Sequence, residues 1–264
     1  MKIWTIAAQK GGVGKTTTTI SLAGCLLREG ARVLLVDLDP HGSLTTYCGF
    51  DPDVVEPNLY RLFAAVADGG MVGINDMVLP TTITDLSIAP ASTALVTLER
   101  RFGLKQGMGL ALQRSLALSA EHYDYCLIDC PPTLGVLVVN ALVCCEQLVV
   151  PVQTEFLAER SLDRLLNTLN MIASARGKPL PHLVVPTLFD RRTRAGTDTL
   201  AAMRARTDIH LWDSAIPVDT QLREASRIGV PLTLRHPYAR ASLAYQALLA
   251  AVRGEEPETL RVAG

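Results

Sequence analysis

Residues 9–17 read QKGGVGKTT, between an apolar run at 2–8 and a helical stretch opening near Thr16. Three glycines in four positions form neither strand nor helix by themselves. They are suited to a turn whose backbone N–H groups approach an anion, because Gly11, Gly12 and Gly14 place no Cβ in the way. The helix that follows adds the positive end of its dipole. Two of only five lysines in a chain with 20 arginines, Lys10 and Lys15, fall inside this loop. Lysine is a compact point charge on a flexible stem, suited to phosphate oxygens. The loop thus constrains the chain to a strand–turn–helix start with phosphate chemistry at the turn.

The rest of the chain alternates in the same way, which argues for βαβ units and a mainly parallel sheet. Strands are predicted at 2–8, 32–37, 85–89, 124–129, 147–152 and 182–187. Helices are predicted at 16–29, 58–67, 92–102, 107–121, 156–174, 197–206 and 239–252. The expected fold is α/β, a three-layer, mainly parallel twisted sheet with helices on both faces. The expected organisation is one domain over 1–264, with 253–264 as a flexible acidic tail. Hydrophobic residues make up 48% and charged residues 19% of 264, so global disorder is excluded. A net charge of −1 excludes a constitutively basic nucleic-acid coat. No uninterrupted run of 18 apolar residues occurs, and a cleavable leader pattern is absent. Six cysteines without a CxxC pair read as buried, reduced thiols.

The loop departs from G-x-x-x-x-G-K-[ST], having Gln9 at the first glycine and a second lysine, Lys10. This is the deviant Walker A pattern KGGxGK[ST]. Residues 33–44 (VLLVDLDPHGSL), 127–132 (LIDCPP) and 150–155 (VPVQTE) complete an ordered set. The chain resembles the ParA/MinD-type ATPases, whose fold is that of the P-loop NTPases. That resemblance implies ATP and ADP as ligands of Lys10, Gly11, Gly12, Val13, Gly14, Lys15, Thr16 and Thr17, with Lys15 at the outer phosphates. It implies Mg²⁺ held by Thr16 and by Asp129 through water, with Asp37 supporting that shell. Asp39 would position the attacking water. Lys10 would reach the phosphates of a second ATP-bound subunit, so ATP closes a homodimer and slow, partner-stimulated hydrolysis opens it. The adenine is placed near 182–187 and the turn Ile216, Pro217, Val218, Asp219, where a plain surface turn is the competing reading.

Five arginines crowd residues 189–206: Arg191, Arg192, Arg194, Arg204 and Arg206. Arg223 and Arg227 follow, four apart. By resemblance Arg191, Arg192, Arg194, Arg204, Arg223 and Arg227 are candidates for nonspecific DNA contact, strengthened when a dimer doubles the phosphate contacts; a solvated, salt-bridged face is the alternative. The chain begins directly at its first strand, unlike family members with a helix-turn-helix domain. It ends in RGEEPETLRVAG, unlike those with a basic amphipathic membrane helix. No membrane docking and no iron–sulfur cluster are expected.

The stretches DPHGS (39–43), IPVDTQLREASRIG (216–229), STALVTLERR (92–101) and VPTLFDRRT (185–193) resemble a chemotaxis-associated subgroup called ParC. That subgroup positions chemosensory arrays at the cell pole through a ParP-type adaptor and a polar hub. It implies a cytoplasmic protein at the pole or over the nucleoid. A DNA-partition ATPase acting with a centromere-binding protein and a metabolic P-loop enzyme remain the competing readings. His41 lies either beside the nucleotide or dimer contact or in a solvent-facing turn.

Overall fold

The computed structural model describes residues 1–102, 105, 107–118, 121–155 and 158–255. Of the tail expected at 253–264, residues 256–264 lie outside the described residues, as do 119–120 and 156–157 of two predicted helices.

The strands are β1 (Lys2–Ile6), β2 (Val33–Asp37), β3 (Leu79–Pro80), β4 (Leu86–Ala89), β5 (Tyr125–Asp129), β6 (Gln147–Gln153) and β7 (His182–Thr187). They form one sheet in the order β3-β4-β2-β5-β1-β6-β7. All neighbours are parallel except the short edge strand β3, which runs antiparallel to β4. Pro80 is tolerated there because an edge strand need not donate outward.

The helices are α1 (Lys15–Arg28), α2 (Ser43–Tyr47), α3 (Leu59–Ala67), α4 (Leu98–Phe102), α5 (Ala111–Ala117), α6 (Val136–Cys144), α7 (Ala158–Arg176), α8 (Arg194–Ala205), α9 (Thr220–Ile228), α10 (Leu232–Arg235) and α11 (Arg240–Arg253).

The strands are apolar on both faces, as a covered parallel sheet requires. Leu34, Val36 and Ile128 point into a core shared with α3, α5, α6 and α7. Val33, Leu35 and Leu127 point into a second core shared with α1 and α11. The expected three layers are therefore present.

The predicted helices at 92–102 and 107–121 are shorter and broken. Each opens as a tight 3₁₀ turn, Thr93–Thr97 and Met108–Leu110, before α4 and α5. Helix α6 was not anticipated. Its sequence VLVVNALVC has no polar face, so it carries no helical periodicity. Its polar residue, Asn140, is fully buried and satisfied: Nδ2 donates to the carbonyls of Met108 and Val136 at 2.8 Å, and Oδ1 accepts from Leu112 N–H at 3.0 Å.

Helix α1 presents Gly24 to the α10 segment. A Cβ at that position would lie 2.2 Å from Thr233 Oγ1 and 2.7 Å from Pro231 Cβ. Thr233 in turn donates to Ser21 O at 3.0 Å, so it cannot move without losing that bond. Gly24→Ala is expected to destabilise the fold by about 1–3 kcal/mol through overpacking. Thermal denaturation measures it, and an unchanged Tm would contradict this close packing.

Candidate functional site

Strand β1 lies mid-sheet. From it the chain crosses to β2 on one side, while β6 and β7 extend the other. The carboxyl ends of strands at such a divergence open a crevice. The glycine-rich loop leaves β1 there and enters α1. Gly12 (φ 76°) and Gly14 (φ 91°) occupy the left-handed region that glycine adopts without strain. Gly14 caps α1 with no side-chain hydrogen bond, and the first turn holds no acidic residue. The first N–H groups of α1 thus keep their capacity for an anion.

Two cavities flank this loop. One, of about 480 Å³, is lined by Gly11, Gly12, Gly14, Lys15, Thr16 and Thr17 together with Asp39, His41 and Pro132. The other, of about 360 Å³, shares Gly12, Gly14 and Thr17, adds Val13, and is closed by Leu188, Pro217, Val218, Asp219 and Arg223. The predicted turn at 216–219 is therefore at the loop. Thr187 Oγ1 donates to Val13 O at 2.8 Å, tying β7 to it. Leu188 sits at φ 52°, a conformation costing a non-glycine residue about 1–2 kcal/mol. Asp219 points its carboxylate to the Gln221 N–H at 2.9 Å and the Ala241 N–H at 3.4 Å, so it caps α9.

Asp37 and Asp129 end neighbouring strands in direct register. Both are fully buried. Asp129 accepts from Thr16 Oγ1 at 2.6 Å and from Thr19 Oγ1 at 3.5 Å. Asp37 accepts from Thr45 Oγ1 at 2.7 Å, Thr45 N–H at 2.8 Å and Asp39 N–H at 3.1 Å. Burial pushes both carboxyls above the usual carboxylate range. Asp129 is raised further by the Asp37 charge, against the pull of Thr16 and Lys15. A buried carboxyl and a hydroxyl at an anion-ready helix end, with a second carboxyl behind them, suit Mg²⁺ with phosphate. Among the described residues no set of three or more His, Cys, Asp and Glu is placed to hold a metal alone. A cation here would need oxygens from a ligand or from water.

Lys15 is nearly buried, its Nζ 3.4 Å from Lys10 O. Lys10 turns the other way. Its Nζ pairs with Gln153, the last residue of β6, at 3.3 Å and with Glu155, just beyond it, at 2.6 Å. Asp39 Oδ1 accepts from His41.

The arginine cluster is largely balanced within the chain. Arg192 chelates Asp190, holding that carboxyl down at about 2. Arg194 pairs with Asp198, Arg206 with Asp163 and Asp208, and Arg227 with Glu224. Arg204 donates to Asp213 O. Arg191 lies with Arg192 and Arg240 around a separate cavity of about 490 Å³, whereas Arg223 faces the loop-side cavity.

Residues 1–180 match the AAA domain family. Over 245 residues the chain is 36% identical to the sporulation initiation inhibitor protein Soj of Bacillus subtilis, covering 92% of this chain and 95% of Soj. It is 34% identical to the chromosome partitioning protein ParA of Caulobacter vibrioides over 262 residues, 97% of this chain and 95% of that protein. The chain belongs to the ParA/Soj family of P-loop ATPases. Cobyrinic acid a,c-diamide synthase of Mycobacterium smegmatis, solved with an ATP analog and magnesium, superposes with a TM-score of 0.80 at 31% identity, covering 96% of each chain.

In this ParA/Soj-family protein, sequence reasoning missed Thr45, which fixes Asp37 by two hydrogen bonds and accepts from Ala91 N–H at 2.9 Å. Its helix, α2, spans five residues and leaves no periodic signal. Among the described residues no helix is long and apolar enough to cross a membrane.

The folded chain retains protons on Asp37 and Asp129 that the unfolded chain releases above pH 3.8. Stability of the nucleotide-free protein therefore falls as pH rises from there toward the raised native values. Asp129→Asn keeps an oxygen for Thr16 and removes one of the two like charges. Urea midpoints at about pH 5 and about pH 8 are expected to drop less for Asp129→Asn than for the wild type. Equal drops would contradict a buried carboxylate pair.

Proposed function

We propose that this protein is an ATP-dependent, dimerising positioning ATPase whose cargo is a chemosensory array. The observation that carries the ATPase switch is the uncapped N-terminus of α1, bearing Lys15 and Thr16 beside the paired carboxylates Asp37 and Asp129. The loop N–H groups from Gly11 to Thr17 and the Lys15 ammonium hold the phosphates of ATP or ADP. Thr16 would hold Mg²⁺, with Asp129 acting through water. Asp37, whose oxygens are taken by Thr45 and the Asp39 N–H, supports from outside. When bound, the cation neutralises charge on the phosphates. Pro217 and Val218 border the adenine, and Asp219 shapes that wall by capping α9.

Asp39 orients the attacking water. Lys10 is held by Glu155 in the single chain, and in the ATP-bound dimer it leaves that pair to reach the partner's phosphates. Exposed pairs of this kind are worth about 0–1 kcal/mol, so exchange is inexpensive. Hydrolysis is slow until a partner stimulates it.

The array reading rests on the stretches at 39–43, 92–101, 185–193 and 216–229. It brings a ParP-type adaptor, a polar hub and a cytoplasmic location. A second reading, chromosome or plasmid partition on nonspecific DNA, is favoured by the likeness to Soj and ParA. Arg191, with Arg192 and Arg240 beside it, is then the first DNA contact to examine.

A functional fluorescent fusion imaged with labelled chemoreceptors tests the choice. Polar foci that recruit receptors, and misplaced receptors on deletion, are expected. Patches moving over the nucleoid with plasmid or chromosome origins following them would overturn the array reading in favour of partition.

A further inference from the structure

The Asp39 carboxylate is held by one residue. His41 backbone N–H donates to Asp39 Oδ1 at 3.0 Å, and His41 Nδ1 lies 2.8 Å from the same oxygen. A carboxylate oxygen only accepts, so Nδ1 carries the hydrogen. The backbone bond is a turn that any residue could make at this position. The ring bond is what histidine adds.

The two side chains differ sharply in exposure, 80% for His41 and 13% for Asp39. The ring is therefore not a packing element. Both residues line the cavity of the glycine-rich loop. Asp39 Oδ2 has no hydrogen bond among the described residues. Two donors converging on Oδ1 fix the tilt of the carboxylate and leave Oδ2 as its free acceptor.

We infer that His41 is a positioning residue for Asp39, holding Oδ1 so that Oδ2 is set to orient the attacking water. This rests on the ATPase reading, in which Asp39 performs that task. Such a role acts on the rate of the chemical step and not on nucleotide affinity, because the ring is placed on the water-orienting carboxylate and not on the loop that cradles phosphates. It also predicts which replacement works. Asparagine carries its amide on the same Cγ from which histidine carries Nδ1, so His41→Asn returns a donor to the same place. Glutamine carries its amide one methylene farther out.

The experiment compares wild type, His41→Ala, His41→Asn and His41→Gln in basal hydrolysis at saturating ATP and Mg²⁺. Calorimetric ATP affinity and Tm are measured in parallel. His41→Ala is expected to lower kcat about tenfold, with affinity within about twofold and Tm unchanged. His41→Asn is expected to recover most of that loss, and His41→Gln less. An unchanged kcat in His41→Ala, or an Asn variant as slow as the Ala variant, would overturn the positioning role. A loss of ATP affinity equal to the loss of kcat would overturn it too, by making His41 a binding contact. If wild type itself binds ATP but does not hydrolyse it, the ATPase reading falls and the positioning role with it.

Discussion

The site is organised around two buried carboxyls and a helix end whose polar groups the protein itself satisfies only in part. Asp37 and Asp129 are fully buried at the ends of adjacent strands, and α1 points an uncapped N-terminus at the same place. Burying two like charges side by side is unfavourable, and a helix end without a cap keeps unpaired N–H groups. The sheet requires this placement, because β5 runs parallel between β2 and β1 and all three strands end on the same side. Threonines relieve part of the cost: Thr16 and Thr19 at Asp129, Thr45 at Asp37. A bound cation and phosphates answer the remainder with complementary charge. The Gly24–Thr233 contact packs α1 from behind, and the Thr187 bond on Val13 ties the glycine-rich loop to β7.

Lys10 gives the single chain a definite resting geometry. Its ammonium lies on Glu155 and Gln153, away from the cavity that Lys15 enters. The two lysines of one loop thus face different acceptors. The surface arginines show a related economy. Arg192, Arg194, Arg206 and Arg227 each meet an acidic partner within the chain, which tempers the local positive charge.

Much of this was legible in the sequence because the decisive residues stand at element ends. Gly11 to Thr17 interrupts two regular patterns, Asp37 and Asp129 terminate apolar runs, and the resemblance to a known family implied that they meet at one site. The parallel sheet followed from the alternation of short apolar runs with helical stretches. What did not show had no periodic signal or depended on contacts remote in sequence. Helix α6 is apolar all round, and α2 is five residues long. The Lys10–Glu155 pair joins loops far apart in the chain. Most partners of the arginine cluster are two to four residues away and could be read in the sequence, whereas Asp163, which meets Arg206, comes from another helix. The turn at 216–219 lines a cavity beside the loop, and the capping role of Asp219 depends on where α9 begins, which no pattern fixes.

In the proposed switch, nucleotide chemistry at the ends of β1, β2 and β5 controls association of two chains. Sedimentation of the Asp39→Ala variant in ATP–Mg²⁺ and in ADP–Mg²⁺ tests it most directly, because a chain that binds but hydrolyses poorly should accumulate in the closed form. About twice the monomer mass is expected with ATP and the monomer mass with ADP. The same monomeric mass in both nucleotides, at saturating ATP, would contradict it.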